Sequence, residues 1–344
     1  MFRVLVAEDS ATARELLVEI LRADPEIEVV GEAKNGLEAV DMTKRLRPSV
    51  VTMDIRMPKM DGFEATRQIM VETPTPIVIV SGISDLHEVE TSMHALRLGA
   101  LAVLGKPPGP DSADFEDQSR RLVQTVKAMA QVKVVRRWPE RVLTQAPALP
   151  RTHVHVHPRV VAIAASTGGP AALAHLLCDM PPDFALPVLV VQHMAHGFVD
   201  GFAAWLNTAG ASLRVKVAQQ GELLHPRTVY VAPDNRHLGL ADQSTVAVSD
   251  APPIDGFRPS GTFLFESVAK AFGSAVVAVV LTGMGADGVA GLRAVRIAGG
   301  RIIAQDEETS VVFGMPGAAV AAGLADDTIP LRAIAARLRD LATP

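Results

Sequence analysis

The 344-residue chain is 48% hydrophobic and 21% charged, a balance that suits packed cores and excludes a disordered or low-complexity protein. At this length two domains are expected. A net charge of -5 leaves no footprint for general nucleic-acid binding, and a single cysteine, Cys178, excludes an internal disulfide and fits a reducing compartment.

The chain opens with MFRVLVAED, which reaches a carboxylate too soon for a signal peptide. No apolar run approaches the ~18 residues of a membrane span. A cytoplasmic protein without direct membrane insertion is expected.

Strand-like and helix-like segments then alternate. FRVLVA, EVVGEA, SVVTMD, PIVIVS and LAVLGK read as strands. Between them SATARELLVEILRA, GLEAVDMTKRL, GFEATRQIM and EVETSMHALRLG read as helices, and residues 114–132 as a last helix. Continuous Val/Ile/Leu strands joined by amphipathic helices predict an α/β domain, a doubly wound parallel sheet covered on both faces, over residues 1–130.

Residues 131–158 read as a linker. They hold Pro139, Pro147, Pro150 and Pro158, and their charge is almost all positive. His153, His155 and His157 alternate on one side of an extended chain, but neither an acid nor a cysteine lies near enough to complete a metal site.

Residues 159–344 again look α/β. VVAIAA, LPVLVVQ, SAVVAVVLTG and RIIAQ are the strand candidates. RTVYVAP together with HLGLADQSTVAVS reads as a small antiparallel hairpin region beside a second, Rossmann-like parallel sheet. Cys178, among Ala and Leu on an expected helix, reads as a small buried hydrophobe.

In the first domain the chemistry falls at strand ends. Glu8 and Asp9 follow the first strand and Asp54 the third; Ser81 ends the fourth and Lys106 the fifth. An open parallel sheet gathers all five at its carboxyl edge. Three crowded carboxylates stay ionised only with a cation, which points to Mg²⁺. A lysine and a hydroxyl at the same edge suit a phosphoryl group, with Asp54 as the attacking carboxylate. Taken singly, each of these residues is also a plausible turn former or helix cap.

VLVAEDS, VVTMDIRMPKMDG, IVIVSG and GKP resemble the receiver domain of two-component response regulators. The resemblance implies a flavodoxin-like fold, phosphorylation of Asp54 by a histidine kinase, and Mg²⁺ held by Glu8, Asp9, Asp54 and the carbonyl of Arg56. It places Ser81 and Lys106 on the phosphoryl group. Glu8 stands where aspartate is usual. Val103 stands where an aromatic is common, which removes an aromatic rotamer switch.

In the second domain VVAIAASTGGPAAL, residues 160–173, runs from a strand through Ser166, Thr167, Gly168 and Gly169 into a helix. Such a turn can cradle a phosphate or hold up a nucleophile. A dinucleotide loop calls for G-x-G-x-x-G and a distant ribose-binding acid. Here the next strand ends instead in VVQHM, placing His193 at the edge that holds Ser166, and AVVAVVLTGMGADG brings Asp287 after a third strand. Serine, histidine and aspartate are a nucleophile, a base and an orienter. His196 competes with His193, and Asp306 in IIAQDEETS competes with Asp287.

ASTGGP, VQHM, VAPDNRHL, FRPSGTFLFESVA, LTGMGADG and QDEETSVVFGMPGAA resemble the catalytic domain of the chemotaxis protein-glutamate methylesterase family. With a receiver in front, the resemblance covers nearly the whole chain. It implies hydrolysis of glutamyl methyl esters and deamidation of glutamines on chemoreceptor signalling helices, with no catalytic metal. It assigns Ser166 as nucleophile, His193 as base and acid, and Asp287 as orienter, with Thr167 and the Met284 backbone beside the reacting carbonyl. Gly317 stands where a basic residue is usual after G-M-P.

Two rival readings are a non-catalytic interaction module governed by the receiver, and a transcription regulator. Against the second, residues 159–344 hold 13 Lys/Arg and 16 Asp/Glu, the wrong sign for DNA.

Overall fold

The computed structural model describes residues 1–82, 95, 98, 100–132, 157–194 and 196–343. The first sheet takes β1 (Phe2–Ala7), β2 (Ile27–Ala33), β3 (Val50–Met53), β4 (Ile77–Ser81) and β5 (Ala102–Gly105) in the order β2-β1-β3-β4-β5, all parallel. The helices begin where side chains can take up free N–H groups. Ser10 caps α1 (Ala11–Arg22), Asn35 caps α2 (Gly36–Leu46) and Asp61 caps α3 (Gly62–Glu72). α4 (Phe115–Ala130) turns Leu122, Val126 and Met129 onto Val4, Val6, Val78 and Val80. The helix expected over 88–99 lies mostly outside the described residues; Ala95 and Leu98 are helical. The linker lies outside them over 133–156, as do His153 and His155.

The second sheet has seven strands, all parallel. They are β6 (Val160–Ala165), β7 (Val188–Gln192), β8 (Arg214–Val217), β9 (Thr228–Val231), β12 (Val276–Val280), β13 (Arg301–Gln305) and β14 (Asp327–Ile329), ordered β14-β13-β12-β6-β7-β9-β8. A separate antiparallel pair joins β10 (His237–Leu240) to β11 (Val246–Ser249).

The hairpin reading was therefore too wide. TVYV is a fully buried parallel strand between β7 and β8, and only β10 and β11 form the hairpin. The partner strand RVKV is four residues long and lies at the sheet edge, so it left little apolar pattern to read.

α5 (Gly169–Asp179) covers β6 with Ala172, Leu173, Leu176 and Leu177, and α6 (Val199–Thr208) follows β7. Cys178 lies one step beyond that stripe and is exposed, which corrects the expectation of a buried thiol; its Sγ lies 3.3 Å from the Ala209 carbonyl. Among the described residues no helix is long and apolar enough to cross a membrane.

The two halves touch. Val311 and Val312 pack against the core of the first domain, and a groove of about 510 Å³ is lined by Arg120, Val123, Gln124 and Lys127 of α4 and by Met284.

Candidate active site and acidic pocket

In the first domain the carboxyl edge brings Glu8, Asp9, Asp54, Ser81 and Lys106 to one end of the sheet. Carboxylate oxygens of Glu8, Asp9 and Asp54 lie within 4.8 Å of one another, and this set is able to hold a metal ion. Lys106 Nζ bridges two of them, 2.8 Å from Glu8 Oε2 and 3.0 Å from Asp54 Oδ2. Burial raises the carboxyl pKa of both Glu8 and Asp54, and their neighbouring acids add to it; Lys106 opposes the rise. Glu8 has the longer arm, and Lys106 meets it. Arg14 Nη1 donates to the Glu8 carbonyl at 2.9 Å and lies 3.3 Å from that of Asp9, which fixes the acidic loop from behind. Ser81 is buried at the end of β4. Arg56 is exposed two residues past Asp54.

In the second domain β12, β6 and β7 are neighbours, and Ser166, His193 and Asp287 follow their carboxyl ends. Ser166 leaves β6 with its N–H on the Thr282 carbonyl at 3.0 Å, and its own carbonyl receives Gly169 N–H at 2.8 Å. This tight turn needs Gly168 at φ 78°, in the left-handed region. Gly283 closes the turn from the β12 side. A Cβ there would lie 2.8 Å from Ser166 Cβ and 2.5 Å from Met315 Sδ.

His193 Nε2 lies 2.9 Å from Asp287 Oδ2, and the two side chains are nearly or fully buried. Asp287 also accepts from Ser260 Oγ at 2.8 Å, from Gly261 N–H at 2.6 Å and from Thr262 N–H at 3.2 Å. The last two are the free N–H groups opening α7 (Gly261–Phe272), so the carboxylate sits at a helix N-terminus that favours negative charge. Burial opposes ionisation, but the His193 pair, the Gly261 N–H and the Ser260 hydroxyl together bring its pKa down to about 2. An ionised Asp287 takes the His193 proton on Nε2 and leaves Nδ1 as the basic nitrogen. Nδ1 is buried with no hydrogen-bond partner among the described residues. Phe257 stacks on the imidazole at 4.5 Å and 14°, holding the ring plane.

Ser166 Oγ makes no hydrogen bond among the described residues; such contacts commonly tighten only when substrate binds. Thr167 is half-buried beside Ser166, and its carbonyl accepts from Thr282 Oγ1 at 2.9 Å. Met284 is half-buried next to Gly283 and faces the groove along α4.

The rivals sit elsewhere. His196 is 84% exposed and near Asp234. Asp306 caps a turn through Thr309, accepting its N–H at 3.0 Å and its hydroxyl at 2.6 Å. Gln192, Phe257, Ser260 and Thr282 escaped the sequence reading. A serine directly before the apolar run GTFLFESVA is a helix-cap signal that could have found Ser260, whereas Gln192 and Phe257 carry no comparable signal.

A pH test isolates Asp287. Its folded pKa lies below the unfolded value of 3.8, so its contribution is present above about 4 and lost as pH falls toward 2. The shift corresponds to about 2 kcal/mol, roughly half of it gone by pH 3. Urea unfolding of the parent chain and of Asp287→Asn should show a margin that narrows by about 1 kcal/mol between pH 6 and pH 3. A margin independent of pH would refute the ionised pair.

The sequence model of the CheB methylesterase family matches residues 161–338, and that of the response regulator receiver domain residues 4–113. A protein-glutamate methylesterase/protein-glutamine glutaminase of Myxococcus xanthus is 59% identical over 98% of this chain and 96% of its own length. One of Anaeromyxobacter dehalogenans is 56% identical over 98% of each. The crystal structure of the Thermotoga maritima CheB methylesterase catalytic domain superposes with a TM-score of 0.52 at 39% identity, covering 54% of this chain and all of that one.

Proposed function

Since the chain belongs to the CheB methylesterase family and carries a response regulator receiver domain, we propose that it hydrolyses glutamyl methyl esters, and deamidates glutamines, on chemoreceptor signalling helices under control of phosphorylation at Asp54. The observation that carries the reading is the buried His193–Asp287 pair with its basic Nδ1 unpartnered, at the strand end adjoining that of Ser166.

In this mechanism Ser166 Oγ attacks the ester carbonyl carbon as its proton passes to His193 Nδ1. The tetrahedral oxyanion forms beside Thr167 and the Met284 backbone. It collapses with release of methanol, which takes the proton from His193. Water, deprotonated by the same nitrogen, then cleaves the acyl-serine to free glutamate. With glutamine the leaving group is ammonia. Asp287 keeps the imidazole in its tautomer and balances the imidazolium.

The domain division follows as part of the reading: a receiver over 1–130, a linker over 131–158 and a catalytic domain over 159–344. The receiver takes its phosphoryl group from a histidine kinase in the cytoplasm. Glu8, Asp9 and Asp54, with the carbonyl of Arg56, are the residues that would hold Mg²⁺; the mutual approach of three carboxylates suits a hard, oxygen-preferring cation. When bound, such an ion would neutralise charge between the carboxylates and the incoming phosphoryl group. Ser81 and Lys106 then contact the phosphoryl oxygens. No metal is assigned to ester hydrolysis.

Acetyl phosphate with Mg²⁺ should phosphorylate the parent chain, whereas Asp54→Asn, or the parent with a chelator, should stay unlabelled. Labelling that persists in either sinks the receiver assignment. The overall reading is tested by methanol release from methylated receptor fragments, measured with and without phosphorylation. A non-catalytic module would release none, and Ser166 would ignore an organophosphate probe.

A further inference from the structure

We propose that Gln192 is a positioning residue, an amide clip that ties the nucleophile turn to the base turn. The inference rests on the assignment of Ser166 and His193 above. Gln192 is the last residue of β7 and is 2% exposed. Its Nε2 donates to the Ser166 carbonyl at 2.8 Å and to the His193 carbonyl at 2.9 Å. One amide nitrogen thus uses both of its protons, one on each reacting residue's backbone.

The location explains the need. The β6–β7 ladder ends at the pair Ala165–Gln192, and Ser166 and His193 are the next residues on each chain. His193 N–H still reaches the Ala165 carbonyl at 3.0 Å, and among the described residues no backbone hydrogen bond joins Ser166 to His193 themselves. The clip supplies a cross-tie one residue beyond the last rung.

The orientation of the amide is set by its partners. Both are carbonyl oxygens, so the reverse orientation would set oxygen against two oxygens. The chosen orientation leaves Gln192 Oε1 buried without a partner, a cost of desolvation that the structure carries. That oxygen in turn dictates Gly169. A Cβ at position 169 would lie 2.0 Å from it, 2.9 Å from the amide carbon and 2.8 Å from Ala165 Cβ. The glycine that opens α5 is therefore matched to the clip.

A buried clip touches no substrate. Its loss should let Ser166 Oγ and His193 Nδ1 drift apart, and a misplacement near 1 Å costs on the order of 10²-fold in rate. The effect should fall on kcat, with KM for methylated receptor nearly unchanged.

The test uses the full chain, a fluorophosphonate probe for the rate of Ser166 labelling, and turnover of methylated receptor. Gln192→Met keeps the volume and removes both donors. It should melt cooperatively, label about 10- to 100-fold more slowly, and lose kcat by a similar factor with KM within about twofold. Labelling within twofold of the parent, or a loss carried by KM, overturns the clip.

Gly169→Ala supplies an independent arm should Gln192→Met fail to fold. It should slow labelling by crowding the amide, yet cost clearly less when added to Gln192→Ala, where only the Ala165 Cβ is still crowded. Equal effects in the two backgrounds would overturn the match between Gly169 and the clip. Ser166→Ala separates the two levels: labelling that survives it condemns the nucleophile assignment itself, whatever Gln192 does.

Discussion

Ser166→Ala should lower ester hydrolysis by at least ~10³-fold while leaving the chain folded, because the nucleophile, base and orienter act as a unit. Its backbone holds the turn through the Thr282 and Gly169 hydrogen bonds, neither of which involves the hydroxyl. Near-normal turnover in a folded variant would remove the nucleophile assignment. The acids should separate as sharply. Asp287→Asn presents an amide where Ser260, Gly261 and Thr262 all donate and His193 needs an acceptor, so activity should fall severely. Asp306→Asn alters a turn with Thr309 that has no contact with the imidazole, and should be mild. Methanol release from methylated receptor measures all three.

Residues 159–344 expressed alone should hydrolyse methylated receptor faster than the unphosphorylated full chain, and should not respond to acetyl phosphate. A CheB catalytic domain from Thermotoga maritima crystallises without a receiver, so such a fragment is a reasonable folding unit. The basis is Met284, which adjoins the Ser166 turn through Gly283 and also lines the groove along α4. A receptor helix is bulky, and α4 with the Val311–Val312 packing narrows its approach. Among the described residues, α4 and the core it covers contribute to the contact. Lys106, at the end of β5, leads by a short connection into α4. A phosphoryl group adds about -1.5 to -2 charges beside Lys106. A ten-fold activation requires only ~1.4 kcal/mol of differential stabilisation, modest for such a change. An isolated fragment no faster than the full chain would mean that the receiver activates by contact.

The two sheets were legible because their strands are buried on both faces. IVIVS and VVAIAA are unbroken apolar runs, and parallel order follows from the helices between them. The edge was not legible: RVKV and DTI are short, with little side chain in the core. Strand-end polar residues could be listed from sequence, because a parallel sheet sends every strand end to one edge. Which acid faces the imidazole could not, since Asp287 and Asp306 both follow strands. That choice depends on the N-terminus of α7, which approaches Asp287 from 26 residues earlier in the chain. Gln192 is a single buried amide in an otherwise apolar strand, and its value lies in two backbone carbonyls that no side-chain pattern encodes. Cys178 was misread because helix periodicity was not carried one residue past Leu177.

The strand order of the second sheet sets a timetable for synthesis. β6 carries the turn of Ser166, yet its neighbour β12 begins at Val276, 116 residues after Val160 in the ladder. Asp287 lies later still. Long-range pairings of this kind close slowly, and chains are made from the N-terminus at roughly 5–20 residues per second. The first sheet ends at β5, and its last described helix at Ala130, so that half can be complete on the ribosome before β6 has left it. The hydrolytic constellation comes into existence only when β12 docks between β6 and β13. A newly made molecule thus has the opportunity to complete its receiver before the esterase can be assembled.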